Sequence, residues 1–148
     1  MIDDLSYEKK KDEASFICEN EHAFCILNFE PLNEGHVMVL PKSFARELED
    51  LTAAQAHSFL QLCGLMRRAL DSLFEDKAIL MQNSTRWRSQ PRLHVHILPC
   101  TAGLRHMYPS VAHIDLATDS VREKRSEQEL KRLSTRIRIA AQQVFSET

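Results

Sequence analysis

Between Thr52 and Glu75 the apolar residues Ala56, Phe59, Leu60, Cys63, Met66, Leu70 and Leu73 recur one helical turn apart, with Arg67, Arg68, Asp71 and Glu75 among the polar positions. That spacing predicts a long amphipathic helix with Thr52 as its N-cap, and a helix with such a stripe must bury it against something. The flanking segments supply strands. Ser15 to Cys18 and Ala23 to Phe29 are short aromatic and apolar runs separated by the polar Glu19-Asn-Glu-His22, as in a hairpin. Pro31-Leu-Asn-Glu-Gly35 is turn chemistry, and His36 to Leu40 reads as a third strand closed by Pro41. Being nearly all apolar, this strand is expected to be covered on part of both faces. Phe44, Leu48 and Leu51 predict a short helix after Ser43, and Ala78 to Gln82 a fourth strand.

Arg92 to Leu98 alternates: Leu93, Val95 and Ile97 point one way, Arg92, His94, His96 and Leu98 the other. Residues 100–119 carry little periodic signal and are expected to wrap as loop. Ser126-Glu-Gln-Glu129 has the form of a capping box, and Leu130, Leu133, Ile137, Ala140, Ala141 and Val144 continue a helical stripe. The expected fold is α+β: an antiparallel sheet of about five strands with the 52–75 helix on one face and a C-terminal helix. Residues 1–148 form one expected domain, with 106–148 as its C-terminal loop and helix extension.

Composition narrows the function classes. Hydrophobic residues at 43% and charged ones at 27% exclude a disordered or low-complexity chain. A formal net charge of -2 leaves no global positive field to hold nucleic acid, so any anion site is local. The first 13 residues alternate in charge where a secretory signal needs an apolar stretch, and no apolar run reaches membrane-spanning length. A soluble, cytoplasmic protein with no membrane or nucleic-acid partner is expected. Cys18, Cys25, Cys63 and Cys100 show no C-x-x-C spacing and read as buried, reduced thiols.

The chemistry concentrates in Arg92-Leu-His-Val-His-Ile-Leu98. Residues two apart on a strand share a face about 6.5 to 7 Å apart, so His94 and His96 set two imidazoles side by side with Arg92 next to them. Alone this pattern fits solvated histidines or a shared metal ion.

In chain order, Leu-Asn28, Pro-Leu-Asn-Glu-Gly35 before His36, Val-Met-Val-Leu-Pro-Lys42 and Leu-His-Val-His-Ile-Leu-Pro99 form a more specific combination. Over roughly residues 15–105 it resembles the histidine triad superfamily of nucleotide hydrolases and transferases, nearest the fragile histidine triad branch that acts on dinucleoside polyphosphates. The resemblance implies that His94 is the nucleophile attacking the α-phosphorus and that His96 contacts phosphate oxygens. It implies that His36 completes the cluster from the neighbouring strand, Asn28 bonds the ribose hydroxyls and Gln82 contacts phosphate. Ser89 keeps the place of a hydroxyl that assists the leaving group, and a homodimer is implied.

Three departures stand out. Arg92 occupies the first triad position in place of histidine, and Trp87-Arg88-Ser89-Gln90-Pro91-Arg92 replaces the family's glycine-led loop, with Arg88 in the glutamine's place. Cys100 stands where an arginine normally follows the strand-tail proline.

An imidazole with an unperturbed pKa of about 6.5 is largely neutral near pH 7, so a ring nitrogen can displace a leaving group and form a phosphoramidate that water hydrolyses. Arg92 can fork onto an α-phosphate but cannot release a proton. The expected function is therefore hydrolysis or nucleotidyl transfer at the α-phosphate of a purine nucleotide derivative, either a dinucleoside polyphosphate or a nucleoside phosphoramidate, without cofactor or metal. The alternatives are a nucleotide-binding module without turnover and a metal site built from His36, His94 and His96.

Overall fold

The computed structural model describes residues 4–28, 34–82, 90–100 and 126–147. Its elements run α1 (Tyr7–Lys10), β1 (Phe16–Glu19), β2 (Ala23–Leu27), β3 (Val37–Pro41), α2 (Ala53–Leu73), β4 (Ala78–Met81), β5 (Val95–Pro99) and α3 (Glu127–Ser146). The strands form a single five-stranded sheet in the order β1-β2-β3-β5-β4, antiparallel throughout. β5 thus slots between β3 and β4, and His96 pairs with Met38 on one side and Met81 on the other. This is the α+β sheet expected from the sequence.

Every residue of β2 and β3 is buried, as continuous apolar runs require when both faces are covered. On one face, α2 and α3 pack together over the sheet. The main core joins Phe59, Leu62, Cys63, Met66 and Leu70 of α2, Leu133 and Ile137 of α3, and Val37, Val39, Val95 and Ile97 of the sheet. Thr52 caps α2 as expected: its hydroxyl accepts the Gln55 N–H at 3.2 Å, and the Gln55 carboxamide accepts the Thr52 N–H at 2.9 Å. Ser126 caps α3 by accepting the Glu129 N–H at 3.2 Å. All six stripe residues expected of that helix are buried. Its Arg138 donates to the carbonyls of Ile17 at 2.6 Å and Phe16 at 2.8 Å, tying the helix to the edge strand β1.

On the face opposite the helices lies a smaller cluster of Leu5, Phe24, Ile26, Met38 and Leu40, with Tyr7 and Phe16 packed against it. The N-terminal segment supplies Leu5 and Tyr7. Ser6 caps the one-turn α1, which the sequence reading had not anticipated.

Three local expectations are corrected. Leu60 is 65% exposed, and Leu62 and Ala69 join the buried stripe of α2 in its place. The apolar arc sits a little to one side of the one drawn from the largest residues. The helix expected after Ser43 reduces to a 3-10 turn at Leu48–Asp50, with Phe44 and Leu48 exposed. There the Asp50 carboxylate accepts the N–H groups of Arg46 and Glu47, at 3.1 and 2.9 Å, and this local bonding competes with a continuous helix. Finally, β5 begins at Val95, so Arg92, Leu93 and His94 precede the regular strand while keeping its alternation. The loop expected over residues 100–119 lies outside the described residues from position 101 onward.

Candidate active site

The turn entering β3 sets the position of the first histidine. Gly35 has φ +88, the left-handed region where a side chain is strained, and a Cβ there would come within 2.7 Å of Cε2 of Phe74, the residue capping the end of α2. The phenyl ring therefore seats the turn on the end of the helix. His36 follows directly and is buried at 1% exposure. The Asn28 N–H donates to the His36 carbonyl at 2.9 Å and extends the β2–β3 ladder by one step.

Strand alternation sends Val37 and Val39 to the helical core, so His36 faces the opposite side with Met38. Leu93, Val95 and Ile97 likewise enter the helical core, which turns His94 and His96 to that same opposite face. Three imidazoles meet there. His36 Nε2 lies 2.9 Å from His96 Nδ1 with ring centroids 5.0 Å apart, and the His94 and His96 rings stand edge to face at 4.8 Å. The Asn28 amide nitrogen lies 3.4 Å from His36 Nε2. Both contacts meet at His36 Nε2, so the orientations and tautomers of His36 and His96 are set together.

His94 is fixed differently. Its Nδ1 lies 2.8 Å from the Arg92 carbonyl oxygen, which can only accept, so Nδ1 carries the hydrogen and Nε2 keeps the lone pair. Taken alone, the spacing of His94 and His96 fits solvated histidines; His94 is 6% exposed. The His96 ring packs edge-on against it.

The Arg92 backbone carbonyl thus belongs to the cluster, while its guanidinium lies over the Phe44 ring, 4.9 Å from the centroid. Arg46 approaches the same ring at 5.4 Å. Asp4, on the N-terminal segment that covers this face, has its carboxyl held below the usual range, chiefly by the Ser6 backbone N–H, with Arg92 contributing a smaller attraction. Gln82 directly follows Met81, the register partner of His96, and is exposed. Ser89 lies outside the described residues. Among the described residues no group of three or more His, Cys, Asp and Glu side chains is arranged to hold a metal ion. In the imidazole cluster, His36 and His96 point nitrogens at each other.

Phe44, which the sequence places in a short helix with Leu48 and Leu51, stands exposed with two guanidinium groups against its ring. A usable signal was the alternation Phe44-Ala-Arg46, which presents an aromatic ring and a cation on one side. The four thiols are free, with Cys25, Cys63 and Cys100 buried and Cys18 half-buried.

An antiparallel five-stranded sheet that carries helices on one face and clustered imidazoles on the other defines a histidine-centred α+β protein. The HIT domain family matches residues 9–103, and the chain belongs to that family. The nitrilase and fragile histidine triad fusion protein NitFhit of Caenorhabditis elegans is 28% identical over 85 residues, 55% of this chain and 19% of that protein. The chain thus spans about a fifth of that relative's length. Among solved structures, a hypothetical histidine triad nucleotide-binding protein from Sulfolobus tokodaii superimposes with a TM-score of 0.71 at 20% identity, over 93% of this chain and 90% of that one. The diadenosine triphosphate hydrolase of Plasmodium falciparum gives 0.68 at 15% identity, over 89% and 79%. At these identities the likeness shows the shared fold.

Proposed function

We propose that this protein is a nucleotide hydrolase or nucleotidyl transferase that acts at the α-phosphate of a purine nucleotide derivative through a covalent intermediate on His94. The observation that carries this reading is the 2.8 Å bond from His94 Nδ1–H to the Arg92 carbonyl. It fixes the tautomer in which Nε2 holds the lone pair, and a nucleophile fixed in this way loses little orientational freedom on the way to reaction.

In the first step the Nε2–phosphorus bond forms as the bond from the α-phosphorus to the leaving group breaks, and the leaving group takes the electron pair. In the second, water attacks the phosphorus, the histidine leaves with its electron pair, and the nucleoside monophosphate is released with the water's proton lost to solvent. An acceptor hydroxyl in place of water gives transfer. His96, oriented by His36, turns a ring edge to the phosphate oxygens, Gln82 contacts the phosphate, and Asn28 serves the ribose. Ser89 serves the leaving group. Association as a homodimer and residence in the cytoplasm go with this reading.

The deciding experiment is single turnover with a nucleotide radiolabelled at the α-phosphate. An acid-labile, base-stable label on His94 is expected, absent in His94→Ala, whose turnover is abolished. Turnover retained by that variant excludes the nucleophile. Arg92 in the first triad position also favours a second reading, a binding module, which would show nucleotide affinity with no label on His94.

A further inference from the structure

One arrangement beside the histidines is absent from the catalytic cycle above. The Leu93 N–H donates to the Ala45 carbonyl at 2.7 Å, tying the segment after β3 to the approach to β5. Both residues at this tie are buried in the core, Ala45 at 4% exposure and Leu93 at 0%. Their neighbours stand away from the core: Phe44 is 53% exposed, Arg46 is exposed and Arg92 is half-buried. One backbone hydrogen bond therefore brings an exposed aromatic ring and two guanidinium groups together, two residues from His94.

The guanidiniums lie 4.9 and 5.4 Å from the centroid of a single phenyl ring. Attraction to the ring face offsets part of the repulsion between two like charges held this close, so the ring acts as a post that concentrates positive charge at one place. Among the described residues Arg92 forms no ion pair, and the carboxylate that feels its charge, Asp4, does so at longer range and is held chiefly by Ser6. The Asp50 carboxylate is bonded to the N–H groups of Arg46 and Glu47. On a chain with a formal net charge of -2, such a locus next to a phosphate-reactive histidine suits a polyanion.

We propose that Phe44, Arg46 and Arg92 form a clasp for the departing half of the substrate, and that the clasp makes phosphoanhydrides the substrate class in preference to phosphoramidates. The proposal rests on His94 as nucleophile. When Nε2 bonds to the α-phosphorus, a phosphoanhydride breaks at the bridging oxygen, and the electron pair leaves on a phosphate. That group is stable as an anion near neutral pH, its second pKa being about 6, and needs cations to receive it but no proton. An amine leaving a phosphoramidate must be protonated as the bond breaks. Arginine cannot supply that proton. The replacement of a titratable histidine by Arg92 therefore removes one acid from the site, leaves an amine dependent on Ser89 or His96 for its proton, and favours leaving groups that need charge.

The test compares kcat/KM for diadenosine triphosphate and adenosine 5′-phosphoramidate, which would pass the same adenylyl group to His94, in the wild type, Arg46→Gln, Arg46→Glu and Phe44→Leu. The wild type is expected to prefer the triphosphate. The ratio of the two kcat/KM values should fall about tenfold or more in Arg46→Glu, less in Arg46→Gln, and measurably in Phe44→Leu, where the cations lose their post. Raising ionic strength should lower the same ratio in the wild type. Because Arg46 and Phe44 are exposed, the melting temperature reports whether any variant has lost its fold, and the ratio is read only for folded protein. A wild-type preference for the phosphoramidate, or a ratio unchanged across the variants and salt series, overturns the clasp while leaving the labelled His94 intermediate intact. Failure of either substrate to label His94 overturns the underlying reading, and the clasp with it.

Discussion

His36 Nε2 and His96 Nδ1 are held 2.9 Å apart, across the register step that pairs Met38 with His96. The bond joins the residue just before β3 to the second residue of β5, so the orientation of one imidazole depends on the other. Asn28 reaches the same His36 nitrogen at 3.4 Å. The sequence reading gave Asn28 and His36 separate tasks, sugar and imidazole; the structure joins them in one hydrogen-bonded chain.

His36→Ala leaves His96 without its partner on this buried face. The loss of such a bond costs about 1 to 3 kcal/mol, roughly 5- to 150-fold in rate if it falls on the transition state. We expect the loss mainly in kcat. Asn28→Ala should weaken binding of a ribonucleotide more than of its deoxy analogue, since the analogue lacks the hydroxyl partner. The His36→Ala and Asn28→Ala effects should be non-additive in a double-mutant cycle. Strict additivity in steady-state kinetics would separate the two residues again.

The second prediction concerns alkali. Burial pushes the Cys18 thiol up to about 11 and the Cys63 thiol up to about 12, and holds Cys25 well above its ordinary value. Each acid therefore ionises more readily in the unfolded chain, where a thiol titrates near 8.5. The stability they contribute is complete below that value and is lost as pH rises through the folded values. Urea midpoints should stay level up to about pH 8 and decline from pH 9 to 11. In Cys18→Ala/Cys63→Ala the alkaline decline should be shallower. A decline of equal slope in that variant would assign the effect to other groups.

Most of the scaffold is legible in the sequence because its signals are local and agree. The Thr52 and Ser126 caps and the alternation at Leu93, Val95 and Ile97 each appear in the structure where the sequence puts them. What escaped depends on tertiary neighbours. Leu60 and Leu62 are the same amino acid, and only the direction from which the sheet and α3 approach decides which is buried. Phe44 reads as part of a short helix, and the Leu93–Ala45 tie instead leaves it in an exposed, non-helical segment. The histidines could be listed from the sequence, but not the carbonyl that fixes the His94 tautomer, because backbone acceptors carry no residue-type signal.

Gly35 offers a third test. Its φ of +88 and the Phe74 ring 2.7 Å from the place of a Cβ give two separable costs. Gly35→Ala should destabilise the protein by about 1 to 2 kcal/mol from backbone conformation alone, and further from the clash. Phe74→Leu in the Gly35→Ala background should recover the second part and not the first. Urea unfolding of the four proteins in this cycle checks the split. Full recovery in the double variant would show that conformation contributes nothing. Because His36 is the next residue, kcat should fall in Gly35→Ala even where the protein remains folded.

Arg92 is where physical reasoning has the most to decide, since its carbonyl and its side chain do different things. The carbonyl accepts from His94 Nδ1 whatever side chain is present, so substitutions at 92 should leave the His94 tautomer in place. The guanidinium over Phe44 is what they remove. Arg92→Lys keeps the charge and some attraction to the ring but loses the fork, and Arg92→Ala loses both and should cost about 2 kcal/mol or more in kcat/KM. Arg92→His restores a titrating group. If the arginine is a working part of the site, Arg92→His should lower the phosphoanhydride rate while introducing a pH dependence near 6 to 7. If the natural arginine instead cripples an older triad, the same variant should gain activity. Rates for the wild type and the Lys, Ala and His variants across pH 5 to 9 distinguish these outcomes. Four identical profiles would make Arg92 a solvated residue with no part in the chemistry, a result that the single-turnover label on His94 would survive.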